Sequence, residues 1–294
     1  MNRKTVLITG LASSLARSIA IQLNELGMQI FGTTSKQDYR CSLTEQIFTI
    51  DFRDQLDSLD KLNRYRFDVV IHVASLTPQR GQKDFMQVNC SGPLKFFSLA
   101  PFQNLECFIN ISSCSVYGPQ TGNSINEFTP TNPSSEYGLS KLVFEQSIEE
   151  LLKKTQTYPS IVHLRVPTLI GENVSPGLFH RWLEVARHGG QIQVSNPNLR
   201  VTGVIDEISL ARRLSLILTN IPKLPVVRTE VAHSNGDITF LEAADLFAST
   251  FNCPSPNTFG ITERQEIFYN IDSDWWSNIS TFKILNAFVN TSKL

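Results

Sequence analysis

Short apolar runs alternate with segments of helical period through the first 170 residues. "TVLIT", "MQIFGTT", "QIFTID", "FDVVIHVAS", "ECFINIS" and "SIVHLRV" read as strands. Between them, "SLARSIAIQLNELG" predicts a helix closed by Gly27, and "RDQLDSLDKL" predicts a short one. "DFMQVNCSGPLKFFSLA" predicts a longer helix kinked at Pro93, and "SSEYGLSKLVFEQ" opens another. The strands are continuous runs rich in Val and Ile, without apolar/polar alternation. Strands buried on both faces look this way, so the pattern predicts an α/β fold whose parallel sheet is covered by helices on each side.

Beyond Gly171 the rhythm loosens. Helical patterns at "GLFHRWLEVARHGG", "DEISLARRLSLILTN" and "DITFLEAADLFASTFN" are separated by Pro, Asn and Gly. We expect an α/β domain over 1–171 and a smaller lobe over 172–294, interleaved through a returning strand near 225–233.

The chain of 294 residues is long enough for this arrangement, with 41% hydrophobic and 18% charged residues. A net charge of −1 argues against a nucleic-acid partner held by counterion release, while leaving room for a small anionic ligand. The first apolar segment is too short for a signal-peptide core, and no run approaches the ~18 apolar residues of a membrane helix. Five cysteines, Cys41, Cys90, Cys107, Cys114 and Cys253, never occur as Cys-x-x-Cys. They point to a reducing, cytoplasmic setting without structural zinc. The sequon at Asn110 falls in a predicted buried strand, which argues against glycosylation there.

Five segments carry candidate chemistry. The first strand runs into "TGLASSLA", where glycines would let a backbone approach a pyrophosphate on the N-terminus of the next helix. Only Gly10 is present. Against Gly-x-x-Gly-x-x-Gly, Ser13 and Ala16 replace the later glycines; against Thr-Gly-x-x-x-Gly-x-Gly, Ser14 and Ala16 do. A serine Cβ intrudes on the phosphate's approach, although its hydroxyl can donate to that phosphate. By itself this turn reads equally well as an ordinary strand–turn–helix. "TIDFRD" ends its strand at Asp51, placed to meet an adenine edge. "VIHVAS" ends in Ala74 and Ser75, small enough for a ligand to pass. "INISSCSVYG" ends in hydroxyls, Ser113 among them, at the carboxyl end of its strand, where open sheets bind ligands. Finally Tyr137 and Lys141, four apart, share a helix face. They form either a tuned acid/base, in which the cation lowers the phenol's pKa, or an incidental pair on a surface helix.

Together "VLITG", "DVVIHVAS", "SSCSVYG", "YGLSK", "LRVPTLIG" and "RVTGVIDEI" occur in an order and spacing that resembles the extended short-chain dehydrogenase/reductases, specifically the nucleotide-sugar epimerase/dehydratase/reductase family. The resemblance covers nearly the whole chain. It implies a Rossmann-type doubly wound parallel sheet with a small C-terminal substrate-binding lobe, and an NAD(P)-dependent oxidoreductase. Tyr137 would exchange a proton with a sugar hydroxyl or ketone. Lys141 would depress the phenol's pKa and hold the nicotinamide ribose, and Ser113 would hydrogen-bond the reacting oxygen. The implied cofactor set is Gly10, Ser13, Ser14, Leu15, Thr34, Ser35, Lys36, Asp51, Phe52, Ala74, Ser75, Asn89, Tyr137 and Lys141. Arg200 matches an arginine that contacts a nucleotide-sugar phosphate, and Thr168 stands where the family usually has an asparagine. Ser113, Thr168 and Arg200 are thus the substrate set. The resemblance also implies a homodimer paired through the helix of Tyr137, and a place in cell-envelope polysaccharide biosynthesis.

The second strand ends in Thr34, Ser35 and Lys36, with no acid before Asp38. Hydroxyls and a cation suit a 2′-phosphate, so NADP is preferred and NAD is the alternative. Cys114 and Ser115 replace the Asp-Glu pair of the family's dehydratases, which argues against water elimination. Cys114 with His180 resembles the cysteine/histidine pair of members that epimerise and reduce, but the family cysteine aligns with Ser115. The reading is therefore 4-keto reduction of a nucleotide sugar, with 4-epimerisation as the alternative. A non-catalytic nucleotide- or cofactor-binding protein on the same fold is the rival from another class. His180, Glu184 and His188 share a helical face at metal-binding spacing, yet no fourth ligand is evident, so a solvated face is expected and no metal. "DSDWW" near Trp275 reads as a packing anchor.

Overall fold

The computed structural model describes residues 3–53, 59–78, 83–99, 102, 104–119, 124–155, 157–171, 177–221, 226–259, 268–269 and 275–292. The strands are β1 (Thr5–Thr9), β2 (Gln29–Thr34), β3 (Gln46–Thr49), β4 (Val69–His72), β5 (Cys107–Ser113), β6 (Ser124–Ile125), β7 (Ser160–Val166), β8 (Thr168–Ile170), β9 (Gln193–Ser195), β10 (Val204–Asp206), β11 (Val227–Val231), β12 (Asn257–Phe259) and β13 (Phe268–Tyr269). The helices are α1 (Ser14–Glu25), α2 (Gly92–Leu99), α3 (Glu136–Leu152), α4 (Leu178–Arg187), α5 (Glu207–Thr219), α6 (Phe240–Phe251) and α7 (Thr281–Thr291).

Seven strands form one parallel sheet in the order β11-β7-β5-β4-β1-β2-β3. β1 pairs with β2 on one side and β4 on the other, so the chain reverses direction across the sheet at β1/β4. Ligands bind such sheets beyond the carboxyl ends of the strands at this switch point. β4 and β5 are buried at every residue, which is why their sequences lack alternation. A phenylalanine-rich core that includes Phe31, Phe52, Phe67, Phe96, Phe97, Phe108 and Phe144 packs against the sheet.

Helix boundaries follow local chemistry. Ser13 caps α1 by accepting from Ala16 N at 3.3 Å, and the chain leaves that helix through Gly27 at φ +71°. Ser135 caps α3 through Gly138 N at 3.1 Å, with Glu136 in its first turn. The kink expected at Pro93 is a π-helical turn over Gln87–Ser91 leading into α2, as suits a residue with no N–H to give a regular helix. Part of "RDQLDSLDKL" lies outside the described residues; Leu59–Arg64 forms a 3-10 turn.

The chain divides into two compact units. The first comprises Met1–Gly118, Pro130–Val166 and Glu207–Glu230; the second comprises Pro119–Thr129, Pro167–Asp206 and Val231–Leu294. The second holds three two-stranded parallel pairs, β8/β10, β9/β12 and β6/β13. It also holds an aromatic cluster of Phe179, Trp182, Phe240, Phe247 and Phe288 on α4, α6 and α7. Trp276 is buried as the packing reading of "DSDWW" expects, while Asp272, Ser273 and Asp274 lie outside the described residues. Among the described residues no helix is long and apolar enough to cross a membrane.

Candidate active site

The switch point is tight. Gly10 has φ +71°, and a Cβ there would lie 2.7 Å from the Ala74 Cα, so the turn admits no side chain. Thr9 joins the two strand ends: its hydroxyl accepts from Val73 N and Ala74 N, each at 3.2 Å, and meets His72 Nδ1 at 2.8 Å. With both lone pairs taken, the Thr9 proton goes to Nδ1, which leaves the neutral ring's own proton on Nε2. Burial, then the charge of Lys141, pushes His72 well below its ordinary pKa.

By helix geometry the N–H groups of Ser14 and Leu15 have no acceptor within α1. The Ser13 oxygen serves as the cap, and the Ser14 hydroxyl donates to Glu207 Oε1 instead of facing a ligand. Gly10, a capped helix and free first-turn donors fit a dinucleotide's pyrophosphate.

The other expected cofactor residues divide by what they touch. Ala74 and Ser75 lie beyond β4, and the Ser75 hydroxyl donates to Leu76 O at 2.9 Å. Asn89 is buried and fully used: Oδ1 accepts from Leu76 N (2.7 Å) and lies 3.2 Å from the Ser75 oxygen, while Nδ2 donates to Leu76 O and Ser140 Oγ. It therefore shapes the loop after β4 and ties it to α3. The Phe52 ring is core, against Phe96 and His72, and its carbonyl accepts from Gln87 Nε2 at 3.1 Å. Asp51 accepts from Arg53 N at 2.9 Å and is half-buried. At the end of β2 the Thr34 hydroxyl accepts from Lys36 N at 3.1 Å, with Ser35 and Lys36 exposed. Sequence reasoning missed two residues here. Tyr39 donates to Leu11 O at 3.3 Å, and Arg17 of α1 lies near enough for its charge to act on the phenol, a second cation toward this strand end.

Ser113, Tyr137 and Lys141 converge on the end of β5. The Ser113 oxygen accepts from Ser115 N at 3.1 Å, its hydroxyl reaches Ser115 Oγ at 3.1 Å, and it lies near enough to the Tyr137 phenol to hold that phenol's pKa down. Gly138 lets α3 approach this close: a Cβ there would sit 2.4 Å from Ser115 O. Lys141, 3% exposed, donates to Ile111 O at 2.9 Å, two residues back along β5. The expected depression of the phenol by Lys141 is not found. Burial raises Tyr137, opposed by Ser113, and Cys114 adds to the rise. The ammonium is instead turned onto the Ile111 carbonyl. Burial lowers Lys141 to about 8, with Glu145 partly opposing.

Beneath the trio lies a buried charged network. Arg165 donates to both oxygens of Glu145, at 2.7 and 3.2 Å, and to the Tyr117 phenol at 2.9 Å; Ser112 donates to Glu145 at 2.5 Å. Cys114 points its thiol at Arg165 O, 3.4 Å away.

Residues outside this cluster are differently engaged. Arg200 is exposed and donates to Asp237 O (3.1 Å) and Gly236 O (3.4 Å) within the second unit. Thr168 opens β8, its N–H donating to Gly203 O. His180 meets Gly171 O, His188 meets Glu184 O, and Glu184 pairs with Arg187. Among the described residues no His/Cys/Asp/Glu group could hold a metal ion.

The model of the NAD dependent epimerase/dehydratase family matches residues 6–200. Among solved structures the chain is similar to the Bordetella bronchiseptica enzyme WbmH in complex with NAD+, at 17% identity over 99% of each chain with a TM-score of 0.78. It is also similar to UDP-glucuronic acid 4-epimerase from Bacillus cereus in complex with NAD, at 19% identity over 98% of each chain with a TM-score of 0.78. These identities show a shared fold. By sequence, UDP-glucose 4-epimerase 4 of Oryza sativa subsp. japonica is 24% identical over 233 residues, 73% of this chain and 59% of that protein. The uncharacterized protein y4nG of Sinorhizobium fredii is 29% identical over 118 residues, 40% of this chain and 30% of its own. The chain thus spans less than two thirds of either relative. From the matched family model and the fold alike, the chain belongs to the NAD dependent epimerase/dehydratase family.

Proposed function

We propose that the protein is an NAD(P)-dependent oxidoreductase that reduces the 4-keto group of a nucleotide-activated sugar. The observation that carries this reading is the convergence of Ser113 and the buried Tyr137 phenol at the end of β5, with Lys141 anchored two residues away. The dinucleotide supplies the hydride when bound. Tyr137 gives the carbonyl oxygen its proton, and the Ser113 hydroxyl stabilises the charge developing there. A phenol raised by burial is protonated at neutral pH, which is the state a reduction needs. Cys114 and Ser115 offer no carboxylates, which disfavours dehydration.

NADP is the cofactor we prefer. Lys36, Ser35 and Arg17 can meet a 2′-phosphate, and no carboxylate ends β2 to take a ribose hydroxyl. We read the second unit as the substrate-binding lobe, with Thr168 and Arg200 its contacts, and α3, where Leu139 is exposed, as part of a homodimer face. The five free cysteines suit a reducing cytoplasm.

NAD-dependent 4-epimerisation is the second reading, favoured by the NAD complexes of structural neighbours named as 4-epimerases. A non-catalytic binder has no use for a buried ammonium and a buried phenol gathered at one strand end.

The test is NADPH oxidation by the purified protein with 4-keto nucleotide sugars. Tyr137→Phe is expected to lower turnover about 10²–10⁴-fold while retaining dinucleotide binding. Equal turnover by wild type and Tyr137→Phe overturns the mechanism. NAD that stays bound through purification, with interconversion of 4-epimers and no net NADPH oxidation, selects the second reading.

A further inference from the structure

The Ser14 hydroxyl donates to Glu207 Oε1 across 193 positions of sequence. Glu207 is the first residue of α5, which packs along α1, and it is 8% exposed. Ser14 stands at the second glycine position of one family pattern. A single carboxylate therefore lies against the first turns of two helices, at the place where a pyrophosphate meets the N-terminus of α1.

We propose that Glu207 is the affinity-setting residue of the dinucleotide turn, tuning it for a cofactor that exchanges at each turnover. This rests on the dinucleotide reading given above. Two effects act in the same direction. The carboxylate's charge opposes that of the pyrophosphate in a partly dry setting, where the effective dielectric is far below that of water. The only proton of the Ser14 hydroxyl is also spent on Glu207, so that hydroxyl offers a phosphate nothing but lone pairs. Ser13 is the counterpart: it caps α1 with an oxygen lone pair and keeps its proton for the phosphate. Weakened retention suits a reductase, which must release its oxidised cofactor every cycle.

A simple capping role predicts something else. Loss of the Glu207 charge would then lower stability and leave affinity unchanged or weaker. Glu207→Gln keeps the side-chain shape and an acceptor for Ser14 while removing the charge. Fluorescence titration with NADPH and with NADH is expected to show binding about tenfold or more tighter for both, with their ratio unchanged. The melting temperature of the cofactor-free protein is expected to fall, opposite in sign to the gain in affinity. Glu207→Asp, which keeps the charge but withdraws it by one methylene, is expected to tighten binding less. Unchanged or weaker binding by Glu207→Gln, or by Glu207→Asp should the first variant not fold, overturns the proposal while leaving the dinucleotide reading intact. Failure of the wild type to bind either dinucleotide overturns both.

Discussion

The end of β5 with the start of α3, and the end of β1 with the start of α1, are built to one plan and supported differently. Each joins a buried parallel strand to a helix capped by a serine, Ser135 in one case and Ser13 in the other. Beneath the first lies the network of Glu145, Arg165, Tyr117 and Ser112, all buried and hydrogen-bonded. The second has one obligatory glycine, a threonine stitch and an acid from α5. In the proposed reading the first end transfers a proton, which needs fixed geometry, and buried charge supplies it. The second end would hold a pyrophosphate, which needs mainly open backbone and leaves side chains free to tune affinity.

Breaking the network should have the largest effect. Arg165→Leu leaves Glu145 buried without its guanidinium and is expected to destabilise the protein by about 3–5 kcal/mol in urea unfolding. A cost no greater than that of losing a helix cap would erase the contrast. Lys141→Met should move stability the other way, by up to about 3 kcal/mol at pH 7, while abolishing turnover. The sign follows from linkage. The folded pKa of Lys141 lies below the ordinary 10.5, so between about 8 and 10.5 the unfolded chain binds more protons and wild-type stability rises with pH. The advantage of Lys141→Met is therefore full below about pH 8 and fades above it, as unfolding curves at pH 7 and pH 9.5 would reveal. At the other strand end, Ser13→Ala removes a cap and should cost about 1 kcal/mol, with weaker dinucleotide binding as the larger consequence.

Much of this was legible in the sequence. Continuous apolar runs gave the parallel sheet, because burial on both faces removes alternation. Tyr137 and Lys141 share a face of α3, and Ser113 ends β5, so local periodicity placed the trio in a common neighbourhood. The rest depends on contacts between distant residues. Glu207 meets Ser14 only after α5 packs on α1, and Tyr39 comes near Arg17 only once the chain after β2 folds back. The ammonium's choice of the Ile111 carbonyl over the phenol is a rotamer-level outcome that spacing does not encode. β6, β8, β9, β10, β12 and β13 are two or three residues long, too short for any period to register.

The first unit draws on three separate stretches of chain, the last ending at Glu230. During synthesis, α1 leaves the ribosome long before α5, the helix that will cover its flank, and Ser14 waits for its acceptor throughout. Neither unit can be excised by one cut, so a fragment ending after β7 would expose apolar surface and is a natural substrate for chaperones and proteases.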